Sequence, residues 1–132
     1  ILFLLFKINN QKKNIEISQK FVEAGIYLSS NKLDDAKNIY EEIILNENKF
    51  YSLLSLNNII EKNLIKDDNK ILDYFNILEK LNYKDELHDL IIFKKSLFLL
   101  KISKDKEGKE LLDILIEKNS KLKTLAEEII KK

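Results

Sequence analysis

Apolar residues along this chain return every third or fourth position, and no stretch alternates for long with the two-residue period of a strand. From Ile15 onward the spacing predicts one helix after another. The first runs over Ile15–Ser29, with Phe21, Ala24, Tyr27 and Leu28 on one face and Val22 and Ile26 widening it. Asn31 follows where the chain must accept a left-handed turn. Asp34 and Asp35 then open a second helix, placing negative charge near its unpaired amides, and its stripe is Ala36, Ile39, Tyr40, Ile43 and Ile44. Lys49–Leu64 reads as a third helix, carrying Phe50, Leu53, Leu54, Leu56, Ile59 and Ile60. Asp67 and Asp68 open a fourth with Ile71, Phe75 and Leu78. Asp85 and Glu86 begin a fifth through Leu90, Ile91, Leu97, Phe98 and Ile102. After the polar stretch Ser103–Lys106, a sixth holds Gly108, Leu112 and Leu115. Ser120 can cap a last helix, Lys121–Lys132, striped by Leu122, Leu125, Ala126, Ile129 and Ile130.

Two successive helices joined by a tight turn cannot bury their own apolar faces, so such hairpins stack on neighbours. The chain returns to the same pattern. Ala36, Tyr40 and Ile43 share their offsets with Ile71, Phe75 and Leu78 after 71 − 36 = 35 residues, and Gly108, Leu112 and Leu115 follow after 108 − 71 = 37. Small residues at Ala24 and Ala36 would let two backbones approach, with Tyr27 and Tyr40 filling the space beside them.

At 132 residues, 45% apolar and 34% charged, the chain has the size and balance of one folded helical domain. The 23 basic residues against 22 acidic ones leave a net charge of +1, too little to draw in nucleic acid or an anionic bilayer. Every one of those cations is lysine, which removes the planar fork that recognises phosphate or guanine. The absence of cysteine excludes disulfides and thiol chemistry and is compatible with either redox compartment. The run Ile1-Leu2-Phe3-Leu4-Leu5-Phe6, followed by Lys7 and the polar segment Asn9–Asn14, suggests the last turns of a membrane anchor and its exit over residues 1–14. The alternative is a short apolar helix start docked on the domain. Residues 15–132 would then form the repeat domain.

The segment NKLDDAKNIYEEI, Asn31–Ile43, resembles the second half of a tetratricopeptide repeat, and Ala24 and Tyr27 match the small and aromatic positions of the preceding helix. With its apolar start, polar exit and about three hairpins, the chain also resembles the bacterial membrane-anchored tetratricopeptide-like family of YfgM type, whose members are ancillary partners of the secretion translocon. The resemblance implies an all-α, right-handed stack of about three antiparallel helical hairpins with a C-terminal capping helix. It further implies a non-catalytic adaptor or chaperone accessory, anchored once in the bacterial inner membrane with the repeats periplasmic. Its partners would be translocon components or secreted chains. The alternatives are a soluble cytoplasmic helical-repeat scaffold and, last, an enzyme.

No constellation for chemistry stands out. His88 is the single histidine and lacks a second ligand or an orienting acid. The acid pairs Asp34/Asp35, Asp67/Asp68 and Asp85/Glu86 fall at helix starts, where the dipole accounts for them, Glu41/Glu42 and Glu127/Glu128 read as solvated faces, and two glycines make no phosphate loop. No catalytic, cofactor-binding or metal residue is therefore assigned, and no nucleic acid or small-molecule substrate is expected. Projected from the first repeat, Phe21, Gly25, Leu28, Leu56, Ile60, Phe93, Leu97 and Leu100 would lean toward a concave face suited to an apolar peptide or amphipathic helix. Ala24, Tyr27, Ala36, Tyr40, Ile71, Phe75, Gly108 and Leu112 are the expected repeat-packing positions.

Overall fold

The structure, a computed structural model, describes residues 1–132. It is all-α, with seven helices and no strand: α1 Leu2–Ser29, α2 Leu33–Leu45, α3 Lys49–Glu61, α4 Asp68–Lys80, α5 Asp85–Lys101, α6 Asp105–Glu117 and α7 Lys123–Lys131.

Helix ends are set by one recurring device. Asn31, Glu47, Asn63, Ser103 and Asn119 all take positive φ, between 52° and 63°, and each follows a helix C-terminus. At four of them the next residue's amide reaches back five residues to a carbonyl: Lys32 to Tyr27 (2.8 Å), Leu64 to Ile59 (2.9 Å), Lys104 to Leu99 (2.8 Å) and Ser120 to Leu115 (3.0 Å). Together with the amides of the left-handed residues themselves, this satisfies carbonyls that the helix leaves unpaired. Neither glycine is used for a left-handed position. Asparagine, whose short side chain tolerates that conformation, fills three of the five.

The local pattern of α1–α2 returns in α5–α6. Asn31 and Glu47 bracket the 13-residue α2, and Ser103 and Asn119 bracket the 13-residue α6 at the same offset, 103 − 31 = 119 − 47 = 72. Ala36 and Gly108, which hold equivalent places in these helices, are both buried.

The chain divides into two compact units, residues 1–78 and 79–132. In the first, α1 and α3 both pack on α2 and also meet each other. Ala24, Ala36, Tyr40, Ile43, Ile44, Leu56 and Ile59 are almost fully buried there. Phe21 packs its ring 5.8 Å from Tyr40 and 5.3 Å from Tyr51. The Tyr40 hydroxyl accepts from the Asn58 amide at 3.1 Å, and the buried Ser52 hydroxyl donates to the Ile43 carbonyl at 3.2 Å. Tyr74 of α4 donates to Glu41 of α2, whose carboxylate also meets Lys70. Burial and the Glu41 carboxylate push the Tyr74 phenol far above its ordinary range. The six-residue connection 62–67 is longer than the three-residue turn 30–32, and it tucks Ile65 inside.

In the second unit α6 packs on α5 and α7 on α6. Leu112, Leu115 and Ala126 form a buried cluster, flanked by Ile92, Phe93, Leu100, Ile116, Ile129 and Ile130. Lys95 of α5 holds Glu79 through both carboxylate oxygens at 3.1 Å.

Three expectations need correction. The first helix begins at Leu2 rather than Ile15: Lys7–Asn14 holds no glycine or proline to interrupt it, and its lysines and glutamine favour a helix where its three asparagines do not. The last helix begins at Lys123, since the Ser120 hydroxyl caps a turn over Leu122 and is itself held by Asp89. An anchored location at a bacterial inner membrane with a periplasmic domain is overturned: no helix is long and apolar enough to cross a membrane. Past Phe6, α1 carries Lys7, Lys12 and Lys13 within the next two turns, whereas a span needs about 20 predominantly apolar residues.

Candidate interaction surface

The left-handed turns provide a common origin from which positions on α1, α3 and α5 can be counted. Seven residues before each turn lie Ala24, Leu56 and Ser96, all buried to within 1%. Six before it lie Gly25, Asn57 and Leu97, which reach the surface. Three before it are Leu28, Ile60 and Leu100, and ten before it Phe21, Leu53 and Phe93, every one half-buried. Each of these helices thus presents a line of half-covered side chains beside a fully buried contact position.

Of the eight residues expected on the concave face, seven are half-buried or exposed. Leu56 is neither: at 1% exposure it belongs to the core, and Leu53 and Asn57 occupy the surface places in α3. Phe21, Gly25, Leu28 and Ile60 lie in the first unit; Phe93, Leu97 and Leu100 lie in the second. Openness differs from one of these residues to the next. A Cβ on Gly25 would meet nothing within 4 Å, and Leu97 is 39% exposed, whereas Leu100 lies over Gly108.

The expected repeat-packing residues Ala24, Ala36, Tyr40, Ile71, Phe75, Gly108 and Leu112 are buried, and Tyr27 is half-buried. Sequence reasoning missed the small residues of α3 and α5. Ser52, Ser55 and Ser96 are wholly buried and perform the close-approach role that was sought only in alanine and glycine. The Ser96 hydroxyl bonds within its own helix, to the Phe93 carbonyl at 2.6 Å, Ser52 bonds across to α2, and the Ser55 hydroxyl has no partner.

Two of the hollows beside these helices are lined by side chains from more than one element. One of about 880 Å³ in the first unit lies between the middle of α1 and the α2–α3 turn. Its polar groups largely answer one another, Lys20 meeting Glu42 and the Asn48 amide donating to Asn14 at 2.9 Å. The other, about 480 Å³ in the second unit, is built around Asp89. This carboxylate, 6% exposed, accepts from Lys118 at 2.6 Å and from the Ser120 hydroxyl at 2.7 Å. Burial alone would push its carboxyl up, but the bonds from Lys118 and Ser120 prevail and hold it below the ordinary carboxylate range. The Lys118 ammonium is raised in turn, chiefly by the same bond. The arrangement ties the α6–α7 turn to α5.

The acid pairs lie where the helix dipole favours them. Asp34 and Asp35, Asp85 and Glu86, and Asp105 and Glu107 occupy first turns, and Asp67 accepts from the Asn69 amide at 3.0 Å. No group of three or more His, Cys, Asp or Glu residues is placed to hold a metal ion, and His88 is half-buried on α5. Comparison of the chain with protein-family models, with curated proteins and with solved structures finds no match to any of them.

Proposed function

We propose that this chain is a non-catalytic protein-interaction module built from tetratricopeptide-like helical hairpins, which binds extended apolar or amphipathic segments of other proteins. The observation that carries this reading is the shared register on α1, α3 and α5. Counted from its own left-handed turn, each helix offers half-covered apolar side chains at the same two places, three and ten residues back, next to a contact residue that is sealed. A surface meant only for the core would have no reason to stay half open at matching positions, and a peptide groove needs just such repeated shallow apolar contacts. The 72-residue return of turns and helix lengths supports a repeat architecture of stacked hairpins. An adaptor or chaperone-accessory role follows from such a surface; a helical-repeat scaffold is the second reading, favoured if only folded partners bind.

The test is a titration of the isotope-labelled chain with a panel of synthetic peptides, some extended and apolar, some amphipathic helical, followed by backbone amide shifts. Shifts gathered around Leu28 and Ile60 in the first unit, or around Leu97 in the second and there lost in Leu97→Lys, are expected. Shifts confined to α7, or none with any peptide at millimolar concentration, would sink the proposal.

A further inference from the structure

Four asparagines line the hollow between the middle of α1 and the α2–α3 turn: Asn10 and Asn14 from the helix, Asn46 and Asn48 from the turn. A chain of bonds orients three of them. The Tyr51 amide donates to the Asn48 carboxamide oxygen at 2.9 Å, so it is the Asn48 NH2 that reaches the Asn14 oxygen, also at 2.9 Å. The Asn14 NH2 is left over as a donor. In the same way the Asn46 NH2 donates to the Glu42 carbonyl at 2.9 Å, which leaves the Asn46 oxygen as an acceptor. One carboxamide donor and one carboxamide acceptor are thus fixed in advance by the fold. Asn10 lies one turn before Asn14 and takes no part in these bonds. Around the hollow Lys13, Lys20 and Lys49 balance Glu16, Glu42 and Glu47, so no net field favours an anion or a cation. Its apolar lining is small: Ile17 is buried and Phe50 stands 65% exposed.

We propose that this hollow binds the main chain of an extended, uncharged peptide segment of another protein. The Asn14 NH2 donates to a peptide carbonyl, the Asn46 oxygen accepts from a peptide N–H, and Phe50 covers one apolar side chain of the segment. Each peptide residue offers one acceptor and one donor, which is the complement of what the two carboxamides leave unspent. Spacing agrees with this. Asn10 and Asn14 stand about 6 Å apart along the helix axis, and groups on one side of an extended chain recur every two residues, about 6.8 Å. Asn10 therefore meets the residue two places along. The Glu42 carboxylate, which would suit the crowded hydroxyls of a sugar, is already engaged by Lys20. The proposal rests on the reading of the chain as a peptide-binding module, yet it uses none of the half-covered residues counted from the turns. Because every peptide has the same main chain, the site should tolerate many sequences.

The test is a titration of the isotope-labelled chain with a short, terminally blocked peptide of serine and threonine around one leucine, and with the same peptide N-methylated throughout. Shifts of the Asn10, Asn14 and Asn46 side-chain amide signals are expected with the first and not with the second. Asn14→Asp keeps the acceptor that Asn48 needs and removes the outward donor. Asn14 is exposed, so the helical circular-dichroism spectrum of this variant should be unchanged while binding weakens about tenfold. Equal binding of the N-methylated peptide, or full binding by Asn14→Asp, would overturn the proposal. So would shifts of the same side-chain signals with maltopentaose and not with the peptide, which would assign the hollow to a saccharide. Silence here, with shifts around Leu28 and Ile60 under the apolar peptides, would overturn the hollow alone; silence everywhere would sink the proposed function as well.

Discussion

Gly108 of α6 lies so close beneath Leu100 of α5 that a Cβ added to it would stand 2.9 Å from both Cγ and Cδ2 of that side chain, and 3.1 Å from the Ser96 carbonyl oxygen. The half-buried leucine can give way only in part, since its Cγ as well as its Cδ2 is met, and the carbonyl is backbone. Gly25, by contrast, has open space where a Cβ would go. The same substitution should therefore act with opposite signs. Gly25→Ala gains helix propensity alone and is expected to stabilise by ~0.5–1 kcal/mol. Gly108→Ala gains as much but overpacks the α5–α6 contact, at about 1–3 kcal/mol, for a net loss of roughly 1 kcal/mol. Urea unfolding of both variants decides it; equal signs would show that α6 can retreat from α5 freely.

The left-handed residues supply a second pair of expectations. Glu47 and Ser103 hold φ of 58° and 63° without the local bonding that suits asparagine to this region. Glycine there relieves a steric cost of about 1–2 kcal/mol, partly offset by the greater freedom it gives the unfolded chain. Glu47→Gly and Ser103→Gly should each raise stability by ~0.5–1 kcal/mol. Asn31→Gly should gain less. Thermal unfolding midpoints in that order are the check.

Leu56 and Leu97 looked equivalent as groove positions and should separate cleanly. Leu56→Ala empties a sealed place and is expected to cost ~2–5 kcal/mol, whereas Leu97→Ser, at 39% exposure, should cost well under that. If Leu97→Ser proves as damaging as Leu56→Ala, the register counted from the turns is wrong.

Acid should weaken the second unit through Asp89. Its carboxyl is held below the unfolded value of about 3.9, so its contribution is complete above that pH and is lost as pH falls through the lower folded value. Asp89→Asn should lower stability at neutral pH by roughly 1–3 kcal/mol and flatten the decline below about pH 4. Denaturant melts between pH 2 and 7 would reveal an unchanged slope if the pair with Lys118 contributes nothing.

How far the sequence discloses this fold can be judged at particular places. The helices from Phe21 to Leu115 are legible because their apolar spacing is set by the core they enclose, and Asn31 announces its own turn. The beginning of α1 is not, since Lys7–Asn14 is exposed throughout and no core imposes an apolar pattern on it. Leu56 was assigned to the groove for want of a fixed origin. Once Asn63 is known to be left-handed, counting back seven residues places Leu56 with Ala24 and Ser96. The six-residue connection 62–67 hid that count, because it separates the turn from Ile71 by more than the other hairpins allow.

The five-residue reach of the bonds at Lys32, Leu64, Lys104 and Ser120 bears on how the protein comes into being. Each closure draws only on its immediate neighbourhood in the chain, so little loop entropy is spent before a bend is secured. A nascent polypeptide can thus set its corners in order of emergence, without waiting for distant segments to be synthesised.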